Sequence, residues 1–171
     1  ENNEDGEEIV RELRDYISIA TTRPETMLGD GAVAVNPSDE RYKSIVGKNV
    51  ILPLCDRLIP IIEDDYPDPS FGSGAVKITG AHDFNDYEVA KRHELEFFIL
   101  MDEAAKLVEF DYIPKKYRRL DRFDARKKIV NDLDELGFII RVEKKKIVQP
   151  FGDRSKVVVE PYLTKQWFVD A

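Results

Sequence analysis

The chain has 171 residues, 42% of them hydrophobic and 35% charged, with a formal net charge of −8. This length fits one domain with a substantial core, and no apolar run is long enough to cross a bilayer. The excess of acidic groups argues against a protein that coats nucleic acid by bulk electrostatics, which requires clustered Lys and Arg. The single Cys55 allows no internal disulfide, and one cysteine with two histidines makes a Cys/His zinc site implausible, so we expect a cytoplasmic protein.

The first half of the chain predicts short strands joined by turns. Residues 1–15 are acidic and predict a flexible N-terminal linker, whereas 16–171 are expected to form a single domain. Alternating or β-branched runs predict strands at 16–22, 31–37, 49–54, 58–64 and 75–79. Pro and Gly predict a turn at 23–31 and a loop at 64–74, and a Ser or Asp cap predicts a short helix at 38–47.

The second half predicts two helices and two further strands. One helix begins near Asp83, and a longer one at 120–138 has apolar residues at helical spacing between its cap, Asp121, and a closing glycine. Apolar runs at 138–146 and 156–163 predict strands. Because no βαβ period repeats, the pattern favours a mixed α/β fold on a curved sheet or barrel over a doubly wound parallel sheet.

The stretch "HDFND" at 82–86 holds a histidine and two acids. Asp83 as N-cap with Asp86 three positions later is related to the capping box, in which both carboxylates answer backbone N–H groups. His82 and Asp86 are four apart and would share a helix face, but the segment supplies too few donors for a metal site. Cys55 has no histidine near it in sequence, so no covalent nucleophile is predicted. The local sequence leaves a capping role and an acid–base role open.

Five segments carry a family resemblance: "TTRPETMLGD" (21–30), "AVAVNP" (32–37), "GSGAVKITGAHDFNDYEVAKRH" (72–93), "LDRFDARKKIV" (120–130) and "VVVEPYLTKQWFV" (157–169). From about Tyr16 onward the chain resembles the editing domain inserted in valyl-tRNA synthetase, a class I aminoacyl-tRNA synthetase. The resemblance implies a curved, largely antiparallel, barrel-like core with several peripheral helices. Aminoacylation motifs of the HIGH and KMSKS types do not occur in the sequence, so we expect no aminoacylation, and the ATP and Mg of that reaction belong to a separate domain.

The activity that the resemblance implies is hydrolysis of the ester of mischarged threonyl-tRNA(Val). A valine pocket cannot strongly reject threonine, whose hydroxyl is nearly the size of the methyl that it replaces, so a second site must admit threonine and refuse valine. The resemblance implies no cofactor, metal or membrane for this step. The implied partners are the threonine-carrying acceptor end of tRNA(Val) and the parent synthetase chain, toward which a C-terminal strand at 157–171 leads back. The isolated domain would be monomeric.

The resemblance also implies site residues. They are Thr22, Arg23, Thr26, Phe71, Lys77, Thr79, Asp83 and Asp86, of which Lys77, Thr79, Asp83 and Asp86 are the catalytic candidates. Asp86 would anchor the α-ammonium of the mischarged amino acid, and Asp83 and Thr79 would read its hydroxyl or orient water. Lys77 and Arg23 would hold the ester carbonyl or the terminal adenosine of the tRNA.

Other positions concern the shape of the pocket and departures from the family pattern. Thr26 would shape the side-chain pocket, and Phe71 would pack against the adenine or ribose. The family usually has Thr, Thr and Pro where this chain has Gly31, Ser73 and Gly80, and Gly80 is expected to loosen the turn before the helix. Two alternatives remain: an editing domain of the isoleucyl type, which hydrolyses valyl-tRNA(Ile), and a non-catalytic tRNA-binding module.

Overall fold

The computed structural model describes residues 14–144, 146–165 and 167. The regular elements are a 3₁₀-helix at Pro24–Gly29, strands β1 (Ala32–Val35), β2 (Asn49–Leu52), β3 (Arg57–Glu63) and β4 (Ala75–Ile78), and helices α1 (Phe84–Arg92) and α2 (Arg122–Glu135). Most of the predicted linker and the end of the predicted C-terminal strand lie outside the described residues. No helix in the described ranges is long and apolar enough to cross a bilayer.

The four strands form one open sheet in the order β2-β3-β1-β4. Strand β1 runs parallel to β3, with Val33 opposite Ile61, and antiparallel to β4, with Ala34 opposite Val76. Strands β2 and β3 form a further antiparallel pair. The mixed α/β prediction is therefore confirmed. The outer strands β2 and β4 do not pair with each other, so the described strands do not close into the predicted barrel.

The predicted strand at 16–22 and the predicted helix at 38–47 are wrong. Residues 16–22 are irregular, and their isoleucines pack against the sheet core, which satisfies the apolar pattern without backbone pairing. Residues 38–47 form a series of turns instead of a helix. A polar side chain competes for the backbone there, because Asn36 Oδ1 accepts the Ser38 N–H at 3.0 Å.

The predicted strands at 138–146 and 156–163 are also wrong over their described residues. Val158 makes a single bridge to Phe151, and the rest of both segments is irregular. In the first segment the alternating side chains have no sheet to face, as the 71% exposure of Ile140 shows. A run of β-branched residues forms a strand only where the edge of a sheet is available to pair with it.

The alternation of side chains along β1 decides which element covers each face of the sheet. Val33 and Val35 belong to a buried cluster with β3, whereas Ala32 and Ala34 pack on the opposite face with Val89 of α1. The small alanine side chains allow α1 to lie close to the sheet. The first turn of α1 is thereby placed beside the end of β4.

Helix α2 confirms the longer predicted helix. Asp121 accepts the Phe123 N–H at 2.9 Å as the N-cap, and Gly137 follows the helix with a φ of 73°. Ile129 and Leu133 are buried in a cluster that includes part of the 3₁₀-helix. Phe123, which the apolar spacing places on the core face, is 42% exposed.

Candidate functional site

Helix α1 begins one residue after Asp83, which is the predicted N-cap. The Asp83 carboxylate accepts the backbone N–H groups of Asn85 at 2.9 Å and Asp86 at 3.1 Å. The Asp86 carboxylate has a different partner, because its Oδ2 accepts the Thr79 N–H at 2.8 Å. The capping-box interpretation is therefore confirmed for Asp83 and wrong for Asp86, whose carboxylate ties the helix to the end of β4.

Burial governs the protonation of Asp86, which is 6% exposed. Desolvation is the main reason that the pKa of Asp86 is raised to about 6, and the charges of Asp83 and Asp30 act in the same direction. The Thr79 N–H and the Lys77 ammonium oppose this rise. A carboxylate that is so poorly solvated gains strongly from a cationic ligand.

Four polar side chains form a cluster beside Asp86, which we term the lysine cluster: the buried Thr26, Asp30 and Thr79 and the partly buried Lys77. Lys77 Nζ lies 3.0 Å from Thr26 Oγ1 and 3.1 Å from Asp30 Oδ1, and it also donates to the Thr79 hydroxyl. The Thr79 hydroxyl in turn donates to Asp30 Oδ1. Lys77 and Thr79 both reach Asp30 Oδ1 because side chains two residues apart on an extended segment share a face. The cluster joins the 3₁₀-helix to β4.

Asp30 is a member of this cluster that sequence analysis did not identify. It is 2% exposed, and burial raises its pKa, whereas the Lys77 ammonium and the hydrogen bond from Thr79 lower it. An acid that directly follows a Pro- and Gly-containing turn is usually a solvated residue. The available signal was Lys77, because a lysine in a buried strand requires an acidic partner.

Arg23 lies at the start of the 3₁₀-helix and contacts two distant segments. Its Nη1 donates to the His82 carbonyl at 2.7 Å, and its Nη2 forms an ion pair with Glu160. Its own carbonyl accepts the Thr26 hydroxyl at 3.0 Å, which orients one wall of the lysine cluster. Arg23 and Thr26 are thus held together by a local hydrogen bond, and the structure adds Glu160 as a partner of Arg23 that sequence analysis did not identify.

Thr22 and Phe71 lie on the surface, and Phe71 is 70% exposed. Their assignment as substrate contacts stays a prediction. The loop that carries Phe71 also carries Tyr66, whose pKa is raised by burial and by the charges of Asp86 and Asp83. Tyr66 is thus a neighbour of the α1 acids that the sequence did not reveal, because nothing local distinguishes one aromatic residue of this loop from another.

His82 has a structural role in the loop before α1. Its ring is buried, and Nε2 accepts the Leu100 N–H at 2.8 Å. Burial, and then the positive charge of Arg23, lower the pKa of His82 to about 4, so the ring is neutral at pH 7. Within the described residues, no group of three or more His, Cys, Asp or Glu side chains is placed to hold a metal ion.

Comparison with known proteins shows which proteins the chain is related to. No family model matches it. It is 57% identical over 169 residues to the valine–tRNA ligase of Caulobacter vibrioides and 51% identical over 169 residues to that of Xanthomonas campestris pv. campestris, and 99% of the chain is covered in each case. The chain is homologous to a segment of the valine–tRNA ligases. The Pelagibacter ubique valine–tRNA ligase is 55% identical over 157 residues, or 92% of the chain. The chain spans 18% of the length of each of these valine–tRNA ligases.

Proposed function

We propose that the chain is the editing unit of a valine–tRNA ligase and hydrolyses the ester of threonyl-tRNA(Val). The observation that carries this proposal is the lysine cluster, held against Asp86 by the 2.8 Å hydrogen bond from the Thr79 N–H to Asp86 Oδ2. Buried hydroxyls, a partly buried ammonium and two buried carboxylates lie together there, which suits a small polar ligand that carries a positive charge. The proposed partners are the threonine-carrying end of tRNA(Val) and the parent synthetase.

Asp86 is proposed to bind the α-ammonium of the threonyl group. A cation beside a carboxylate favours the ionised form, so ligand binding would lower the pKa of Asp86 from about 6 toward the ordinary range. Because the side chain is fixed by a backbone donor, it can hold the ammonium in one place. The ester carbonyl is then oriented by the same contact.

The lysine cluster is proposed to distinguish threonine from valine. The hydroxyls of Thr26 and Thr79 and the ammonium of Lys77 already exchange hydrogen bonds, and a threonine hydroxyl can join this network. A valine methyl in the same place can neither donate nor accept a hydrogen bond, so it would leave buried polar groups unpaired, which is costly. This is the discrimination that a pocket built for valine cannot supply.

The proposed reaction requires mainly positioning, because an aminoacyl ester is already activated. Water attacks the acyl carbon, the bond from that carbon to the ribose oxygen breaks, and the ribose oxygen takes up a proton. Lys77 would stabilise the negative charge that develops on the carbonyl oxygen, and Asp83, half-buried at the start of α1, would orient the water. Arg23 would hold the terminal adenosine. The proposal contains no covalent enzyme intermediate and no resident metal or cofactor.

The test compares Asp86 with a matched acid outside the cluster. Asp86→Asn removes the charge at constant size, and Asp124→Asn makes the same change on α2, where the side chain is 65% exposed. In deacylation of threonyl-tRNA(Val), we expect kcat/KM to fall about 100-fold for Asp86→Asn, since the ammonium loses its anchor, and to stay within about twofold for Asp124→Asn. Equal rates for wild type and Asp86→Asn would contradict the proposal.

The same assay separates the two alternatives. An editing unit of the isoleucyl type would hydrolyse valyl-tRNA(Ile) faster than threonyl-tRNA(Val). A non-catalytic module would bind tRNA and hydrolyse neither ester. If the isolated chain is inactive, the corresponding segment of a host valine–tRNA ligase is replaced by this chain and the assay is repeated.

A further inference from the structure

A row of side chains with alternating charges connects the proposed site to the C-terminal part of the described residues. Its members in order are Arg126, Glu25, Arg23, Glu160 and Arg122. Glu25 binds Arg126 through two hydrogen bonds of 2.7 Å, and its distance to Arg23 is 3.9 Å. The closer carboxylate partner of Arg23 is therefore Glu160, from a segment 137 residues further along the chain.

Glu160 is held from its other side by the first turn of α2. Its Oε1 lies 2.9 Å from Arg122 Nη1, and Arg122 Nη2 donates to the Val158 carbonyl at 3.0 Å. The side chains of Glu160 and Arg122 are 14% and 5% exposed. Arg122 thus anchors both the carboxylate and the backbone of an otherwise irregular segment to a rigid helix.

Arg23 links Glu160 to the turn before α1. While Nη2 meets Glu160, Nη1 donates to the His82 carbonyl at 2.7 Å, one residue before Asp83. A planar guanidinium with two fixed partners has one orientation, which a flexible ammonium would not have. The orientation of the Arg23 guanidinium therefore depends on its contact with Glu160 as well as on its contact with the His82 carbonyl.

We infer that Glu160 is a positioning residue for the proposed editing site: it orients the Arg23 guanidinium so that Arg23 can hold the end of the tRNA. This inference rests on the proposed function. Glu160 acts through Arg23 and does not touch the reacting atoms. Loss of its charge would release the guanidinium from one of its two fixed contacts and weaken tRNA binding more than the chemical step.

The test is a double-mutant cycle in deacylation of threonyl-tRNA(Val) by the full 171-residue chain. It uses Glu160→Gln, Arg23→Ala and their combination, with Glu109→Gln as control, because Glu109 forms an ion pair with Arg119 at 2.7 Å with its side chain 54% exposed. We expect KM to rise about tenfold in Glu160→Gln with kcat within about twofold, since a displaced binding group weakens binding of the substrate. In the Arg23→Ala background, Glu160→Gln should raise KM no further.

A KM like that of wild type in Glu160→Gln, or the same further rise in the Arg23→Ala background, overturns the inference. If Glu160 had only a structural role, Glu160→Gln would unfold at a lower urea concentration, and the effects of Glu160→Gln and Arg23→Ala on KM would be independent of each other. If Glu160→Gln does not unfold cooperatively, Glu160→Asp replaces it in the cycle, and the same two outcomes decide. A wild type that does not hydrolyse the ester, alone or in a host synthetase, overturns the proposed function itself. If wild type is active and Arg23→Ala has a raised KM, but the KM of Glu160→Gln equals that of wild type, only the positioning role of Glu160 is overturned.

Discussion

Thr79 donates its backbone N–H to Asp86 Oδ2 over 2.8 Å, which joins the end of β4 to the first turn of α1. The Thr79 hydroxyl has a different partner and donates to Asp30 Oδ1. Because the group that orients Asp86 is a backbone donor, a substitution at position 79 removes the hydroxyl and leaves the carboxylate in place. The ammonium-binding and hydroxyl-reading parts of the proposed site can therefore be tested separately.

Asp86 makes the stability of the fold depend on pH in a defined direction. Burial raises its pKa from 3.8 to about 6, so the folded state holds this proton more tightly than the unfolded state. The resulting stabilisation is complete below about pH 4 and is lost as the pH rises through about 6. A shift of about two pKa units corresponds to ~3 kcal/mol in the free energy of unfolding.

Urea unfolding of wild type and Asp86→Asn at about pH 4 and pH 7 measures this effect. We expect wild type to lose ~2–3 kcal/mol relative to the variant across that interval. The comparison subtracts groups that titrate in both proteins, such as Asp64, whose pKa is lowered chiefly by its hydrogen bonds from Arg92. A difference that is independent of pH would show that Asp86 titrates normally in the fold.

The ion pair between Asp30 and Lys77 is expected to be strongly coupled, since its side chains are only 2% and 13% exposed. Asp30→Asn leaves a poorly solvated ammonium without its charge partner and should lower the free energy of unfolding by ~3 kcal/mol. Adding Lys77→Met removes that unpaired charge, so the double variant should be more stable than the sum of the single changes predicts. Simple additivity in urea unfolding would refute a coupled pair.

Gly80 is fitted against α1. A Cβ at position 80 would lie 2.6 Å from the Cβ of Ala90 and 3.0 Å from Phe97 Cε1. Gly80→Ala should therefore destabilise the fold by ~1–3 kcal/mol through overpacking. Ala90→Gly by itself costs ~1 kcal/mol of helix propensity but removes the opposing methyl. Thermal unfolding should show a smaller effect of Gly80→Ala in the Ala90→Gly background, and an unchanged effect would exclude this contact as the cause.

Features that a few neighbouring residues decide could be predicted from the sequence. Asp83 and Asp121 were identified as N-caps because a carboxylate before a helix satisfies donors two or three residues away. Helix α2 was predicted because its apolar spacing and caps agree with one another. The four strands β1 to β4 were predicted because each has an apolar or alternating pattern, and other segments of the chain supply the strands that pair with them.

Features that depend on long-range pairing could not be predicted. The run at 138–146 has the composition of a strand, but whether a sheet edge is available to it is decided elsewhere in the chain. The partners of Lys77 and Arg23 lie 47 and 137 residues away in sequence, at Asp30 and Glu160. The number of acids that could fill those places is large, and local patterning does not choose among them.

Threonine-specific hydrolysis at the lysine cluster can be measured as deacylation rates of threonyl-tRNA(Val) and valyl-tRNA(Val) with wild type and Thr79→Val. Wild type is expected to hydrolyse the threonyl ester at least about 100-fold faster than the valyl ester, because only threonine can hydrogen-bond with the lysine cluster. Thr79→Val should narrow that ratio while the backbone contact to Asp86 persists. Equal hydrolysis of both esters by wild type, or hydrolysis of neither ester by the chain alone and in a host synthetase, would contradict threonine-specific hydrolysis at this site.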